Sequence, residues 1–258
     1  MGTLDTDKRT FWVTGASSGI GLEIARLLAK DRNYVFVSAR SMNKLECLRE
    51  AYPENIHVIP VDLQDAASVA HAEREINKHT DHLDSLIACA GTCEYDDGLR
   101  LSTALFSKIT QVNYLGVVDA VRIALPLLRR STNRPHIAAI GSLSSVIPFP
   151  RAAAYGASKA ALDYFLQSLK IDLFPENIDV TIIRPGFVDT PLTQRNDFDM
   201  PFMLSSKDAA QKIIRGLHKR PLFYDFPAKL SIPLKIMRFM PGVWMRMAAQ
   251  KFKKAEAI

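Results

Sequence analysis

The chain has 258 residues, 48% hydrophobic and 23% charged, with a formal net charge of +6. That balance suits an ordinary globular chain, long enough for one large α/β domain or two small ones. It contains no run of about 18 apolar residues, which excludes a simple membrane span, and the polar stretch 1–10 lacks the apolar region of a signal peptide.

Three cysteines, Cys47, Cys89 and Cys93, form no CxxC pair. Free thiols in a reducing cytoplasm are the plain expectation. No histidine lies near Cys89 and Cys93, so no metal site is expected. The charge is uneven: residues 207–258 hold twelve Lys/Arg against three Asp/Glu, and residues 1–206 hold 21 against 24. A basic C-terminal fifth fits either an anionic partner or a solvated helical face.

Phe11-Trp12-Val13-Thr14 is a short apolar run that enters Gly15-Ala16-Ser17-Ser18-Gly19-Ile20-Gly21. Leu22, Ile24, Ala25, Leu27 and Leu28 then recur at helical spacing. Strand, glycine-rich turn and helix in that order bring backbone N–H groups to an anion at the positive helix end. Tyr34–Ser38 is the next strand, with Arg40 beyond its end and no acid from Tyr34 to Leu45. In dinucleotide folds an acid near this place binds a ribose 2′-OH, and an arginine accommodates a 2′-phosphate.

A third strand, Ile56–Val61, runs into Asp62-Leu63, and a polar helix covers 66–79. Leu83–Ala90 is a fourth strand, closed by Gly91. Thr103–Arg130 has long helical periodicity, with Asn113 inside it and Pro126 near its end. His136–Gly141 is a fifth strand, running into Ser142. Asp179–Arg184 is a sixth, closed by Pro185-Gly186. Strands alternating with helices predict an α/β fold, a doubly wound parallel sheet in a Rossmann-like three-layer sandwich. Without repeat or linker, the chain reads as a single domain with a core of about 10–220. Ligands of such sheets bind beyond the carboxyl ends of the strands, where Gly15–Gly21, Arg40, Asp62, Gly91, Ser142 and Gly186 all fall.

Tyr155 and Lys159 are four apart, at the start of an apolar-periodic stretch ending near Leu173. On a helix they share a face, with Cβ atoms roughly 5–6 Å apart. An ammonium beside a phenol favours the phenolate, and a tyrosine tuned towards neutrality can give or take a proton. Ser142 can hydrogen-bond the same reacting oxygen.

Together these motifs resemble the short-chain dehydrogenase/reductase family over about residues 10–220. Thr14 to Gly21 matches its TGxxxGxG cofactor loop, Asp62 its adenine-contacting aspartate, and Asn113, Ser142, Tyr155 and Lys159 its catalytic tetrad. Pro185-Gly186, with Val188 and Thr190, matches the segment that holds the nicotinamide carboxamide. The resemblance implies an NADPH/NADP-dependent carbonyl reductase or alcohol dehydrogenase, with Leu63, Ala90 and Gly91 also at the cofactor. Tyr155 would protonate the carbonyl oxygen, and Ser142 would stabilise it. Lys159 would hold the nicotinamide ribose and lower the Tyr155 pKa, and Asn113 would keep a relay water beside Lys159. A homodimer or homotetramer through the helices around 103–130 and 152–173 is implied as well. The chain departs from the family's usual Asn-Asn-Ala-Gly with Ala88-Cys89-Ala90-Gly91, which removes a side-chain tie between strands and leaves Cys89 as a buried thiol.

Leu192–Ser206, rich in Phe198, Met200, Pro201, Phe202, Met203 and Leu204, is expected to close an apolar pocket faced by Pro148-Phe149-Pro150. Ser205-Ser206-Lys207-Asp208 predicts a capped helix to about His218. Ala228–Lys254 holds seven Lys/Arg and no acid, with Pro233 and Pro241 expected to break it into short helices. Its apolar side chains suit either closure of the pocket or a subunit interface, or peripheral contact with an anionic membrane. Two other classes stand beside the enzyme: a catalytically silent dinucleotide sensor or scaffold, and a nucleic-acid binder. The intact tetrad argues against the first; for the second, no nucleic-acid motif accompanies the charge.

Overall fold

The structure is a computed structural model describing residues 8–96 and 100–256, with side chains to residue 250. Residues 1–7 of the polar N-terminal stretch, and the side chains of residues 251–254, lie outside the described residues.

The sheet is built from β1 (Thr10–Thr14), β2 (Tyr34–Ser38), β3 (Ile56–Val58), β4 (Ser85–Ala88), β5 (His136–Ile140), β6 (Asp179–Pro185) and a late strand at Phe223–Phe226. Two short strands, β7 (Val188–Asp189) and β8 (Leu204–Ser205), pair separately, so the late strand is β9. The seven-stranded order is β3-β2-β1-β4-β5-β6-β9, every pair parallel. The order reverses between β1 and β4, the crevice where such sheets take ligands.

Both faces of the sheet are covered, so consecutive strand residues serve opposite layers. Trp12 joins one layer with Leu86, Ile137 and Leu166. Val13 joins the other with Ile24, Val37 and Ile213. Helices α1 (Gly19–Lys30), α2 (Met42–Ala51) and α7 (Ser206–Lys219) supply the second layer. The first is supplied by α3 (Ala66–His79), α5 (Gly116–Leu128) and α6 (Ala153–Asp172), with α4 (Thr103–Thr110) leading into α5.

The differences from sequence expectation have local causes. Regular pairing of β3 ends at Val58, yet Ile59 N and Val61 N still bond Val37 O and Ala39 O at 3.0 and 3.1 Å; Pro60, without an N–H, falls between these donors and faces the free edge of the sheet. The long helix is interrupted by a π-turn at Gln111–Leu115, where the Gly116 N–H reaches back to the Gln111 carbonyl. Against the expectation that no stretch could span, residues 103–128 are long enough and on average apolar enough to cross a membrane, but Val117, Val121, Ala124 and Leu127 pack into the core. Ser205 caps α7 through Asp208 N, as the capping pattern predicts, and Asp65 caps α3 through Ala67 N and Ser68 N.

The C-terminal segment forms α8 (Ala228–Met237) and α9 (Pro241–Glu256). Pro241 opens α9, a position that tolerates proline. Pro233 does not break α8, contrary to expectation: it and Lys229, whose carbonyl loses its partner, are both exposed, so water can serve that carbonyl.

Candidate functional site

After Thr14 the backbone turns through Gly15 (φ +67°) and Gly19 (φ +55°). A Cβ on Gly15 would lie 2.7 Å from the Ala90 backbone, and one on Gly19 would lie 2.9 Å from Thr190 Cγ2. The glycines therefore let the loop press against the residues after β4 and after β7. Ala90 N also bonds Thr14 Oγ1 at 3.3 Å. Ser18, at the N-cap of α1, makes no side-chain cap hydrogen bond, which leaves the first N–H groups beside Ile20 and Gly21 for an anion. Ser17 lies half-buried in the same loop. These features form a cradle that fits a pyrophosphate.

The remaining positions expected at a cofactor line the same edge. Arg40 is exposed two residues beyond β2. Asp62 is held by Gln64 N on its carboxylate (3.0 Å), and its own N–H donates to Ser68 Oγ (2.9 Å). Leu63 packs beneath the π-turn: a Cβ on Gly116 would touch its side chain, and its carbonyl accepts from Gln111 Nε2 at 3.3 Å. Gly91 faces Asn113 Oδ1 and Lys159 Nζ. Pro185 ends β6, Gly186 N bonds Phe226 O at 2.7 Å, and Val188 is buried in β7.

Ser142 follows β5, and its Oγ accepts from Ser144 N at 3.1 Å. Its side chain hydrogen-bonds Tyr155. Lys159, 3% exposed, places Nζ 5.9 Å from the Tyr155 ring centroid and donates to Ile140 O at 2.7 Å. The structure thus brings Ser142, Tyr155 and Lys159 together.

One expected role changes. Burial, with Cys93 beside it, pushes the Tyr155 pKa up, and the Ser142 hydrogen bond only partly opposes this. Tyr155 is held as a protonated phenol, a proton donor, rather than drawn towards phenolate. Burial instead lowers Lys159 to about 8, against the pull of Asp163. The Asn113 amide is already engaged: Oδ1 accepts from Thr92 N (2.7 Å), and Nδ2 donates to Thr92 O (2.9 Å) and Ser158 Oγ (3.0 Å). Its side chain ties the loop after β4 to α6.

Burial raises Cys89 to about 12 and Cys93 to about 11, so both thiols are poor nucleophiles.

A buried charge chain lies behind the lysine. Asp163, one further turn along α6, has Oδ2 2.6 Å from Ser145 Oγ and 3.3 Å from Arg184 Nη1. Ser145 Oγ is also 2.7 Å from Ser142 O. Arg184 clamps Asp225 of β9 with two 2.8 Å bonds, and Lys235 of α8 reaches the same carboxylate at 2.5 Å. Sequence reasoning passed over Asp163, although Tyr155, Lys159 and Asp163 recur at four-residue spacing on one helical face. It also passed over Asp225, whose signal is a buried arginine on β6 that demands an acid.

The lid is partly as expected. Phe198 meets Tyr95 and Phe187 edge-on at 5.6 and 6.1 Å, β8 pairs with β7, and Arg151 binds Asp197 at 2.9 Å. Phe149 turns elsewhere. It packs edge-on against Trp244 of α9 at 5.4 Å, and Trp244 Nε1 donates to Pro148 O at 2.6 Å.

Comparison with known proteins gives a consistent picture. A family profile described as short chain dehydrogenase matches residues 9–200. An uncharacterized oxidoreductase of Myxococcus xanthus (strain DK1622) is 33% identical over 248 residues, 95% of this chain and 98% of its own. An 11-beta-hydroxysteroid dehydrogenase-like 3 of Arabidopsis thaliana is 33% identical over 233 residues, 86% of this chain and 74% of its own. Among solved structures, an alcohol dehydrogenase of the archaeon Thermococcus sibiricus, complexed with 5-hydroxy-NADP, superposes with a TM-score of 0.74 at 25% identity, covering 85% of this chain and 95% of its own.

Proposed function

The chain belongs to the short-chain dehydrogenase family of oxidoreductases, and from that premise we propose that it is a cytoplasmic, NADPH-dependent carbonyl reductase for apolar ketones or aldehydes, running as an alcohol dehydrogenase in reverse. The observation that carries this reading is the meeting of Ser142, Tyr155 and Lys159 at the edge of the sheet that also bears the Gly15–Gly21 cradle. The cradle and the Pro185–Thr190 segment are the residues that would hold the dinucleotide, which supplies the hydride when bound. Tyr155 gives its proton to the carbonyl oxygen, and the Ser142 hydroxyl donates to that oxygen as charge grows on it. Lys159 contributes a buried positive charge beside both. Phe187 and Phe198 suit an apolar substrate face.

The direct test is a panel of ketones, aldehydes and alcohols with NADPH and with NADH, followed by nicotinamide absorbance. Turnover of apolar carbonyls with NADPH is expected. Silence across the panel with folded protein would overturn the reading. Homodimer or homotetramer assembly is part of it, and a monomeric sedimentation coefficient would remove that part.

Asp163 acts as a positioning residue through Lys159. A lysine is charged below its pKa, so the ammonium is present at neutral pH and lost as pH rises through about 8. The Asp163 charge raises that value against burial. Asp163→Asn therefore moves the basic limb of the reduction profile to lower pH. The expected loss at the wild-type midpoint is about 3- to 10-fold, with near-normal rates at about pH 6. A uniform loss at every pH would assign Asp163 a packing role only.

A further inference from the structure

The two C-terminal helices have an inner and an outer face of different character. Inward, Leu230, Leu234, Met237 and Trp244 pack on Leu143, Val146, Ile147 and Phe149, the loop that follows Ser142. Leu230 also approaches the nicotinamide-side segment: a Cβ on Gly186 would lie 2.7 Å from its Cδ2. Outward, the helices and the turn between them present large apolar side chains to solvent, among them Phe239 of the turn at 85% exposure, Met245 at 60% and Ile236 at 54%. Ile232 and Ile236 on α8, and Val243 and Met247 on α9, are exposed at four-residue spacing, so each helix carries an apolar stripe on its free side. Lys229 and Arg246 are exposed on the same two helices and Arg238 in the turn between them, and the sequence from 228 to 254 contains no acid to balance them.

We propose that the outer face of α8 and α9 docks on an anionic lipid bilayer. Contiguous exposed apolar surface marks an interaction site, and the charge selects the partner. Two copies meeting through the same patch would set like charges against each other. An anionic bilayer instead accepts the apolar side chains between its headgroups and pairs its charge with the lysines and arginines. Because the inner face of the same helices roofs the Ser142 loop, docking sets the mouth of the site against the membrane. Apolar carbonyl compounds dissolved in lipid then reach it without crossing bulk water. The docking itself requires no turnover, so it stands or falls separately from the enzyme reading.

The test is cosedimentation of the full chain with vesicles of phosphatidylcholine alone and of phosphatidylcholine mixed with phosphatidylserine, at low and high salt. Binding is expected with the anionic vesicles, weakened by salt. The double variant Phe239→Asp, Met245→Asp is expected to lose about tenfold or more of that partitioning. Both side chains are exposed, so the variant should keep the wild-type circular dichroism spectrum. Wild-type protein remaining in the supernatant with anionic vesicles at low salt overturns the proposal, as does equal binding by the variant. A smaller oligomer for the variant than for wild type, by sedimentation velocity without lipid, would give the patch to a second copy and also overturn it.

Discussion

Tyr155→Phe is expected to lower carbonyl reduction by about 100- to 10,000-fold, the span typical of losing a positioned general acid. The substitution removes one oxygen and leaves the ring, so the packing of α6 and the approach of Lys159 to the ring face should persist. Cofactor affinity should stay near wild type, since the cradle at Gly15–Gly21 is formed by other elements. The Ser142 hydroxyl loses its Tyr155 partner but keeps the Ser144 N–H, which limits any local rearrangement. Steady-state rates with a good substrate, together with dinucleotide titration, check both halves. Near-wild-type turnover would show that the proton comes from elsewhere.

Arg40→Ala is expected to abolish a preference for NADPH over NADH. Arg40 stands where the adenosine ribose is held in doubly wound sheets, and no acid between Tyr34 and Leu45 is available for a ribose diol. A charge-assisted pair with a 2′-phosphate contributes about 1.5–3 kcal/mol, or roughly 10- to 100-fold in affinity. Exposure of Arg40 favours the lower part of that range. NADPH affinity should fall in the variant, and NADH affinity should not. Equal dissociation constants for the two cofactors in wild type, or an undiminished preference in Arg40→Ala, would sink the assignment.

What the sequence revealed and what it hid have physical causes. Strands buried on both faces read as unbroken apolar runs, so β1, β2, β5 and β6 were legible, and the glycine turn announced itself by its place between strand and helix. Ser142, Tyr155 and Lys159 were legible because chemistry fixes their types. β9 was not: Phe223–Phe226 is short, follows a proline, and carries Asp225, which only the burial of Arg184 explains. The π-turn around Asn113 leaves no mark in a periodicity that shifts by a single residue. The Tyr155 shift was read with the wrong sign because an i,i+4 spacing says which groups are near and nothing about how deeply they are buried. The C-terminal helices were legible as basic and apolar. Which apolar side chains pack on Leu143 and Phe149, and which face solvent, depends on how the helices lie on the sheet.

The two tryptophans sit at opposite extremes of this architecture. Trp12 is fully buried in β1, with Nε1 donating to Ser38 Oγ at 2.9 Å. Trp244 is half-buried on α9, clasping the Pro148 carbonyl. Their fluorescence therefore carries two separate signals. The blue component belongs to the sheet and changes only with global unfolding. The red component belongs to the clasp and follows the seating of α9 over the Ser142 loop, so the native chain carries its own optical gauge of that contact.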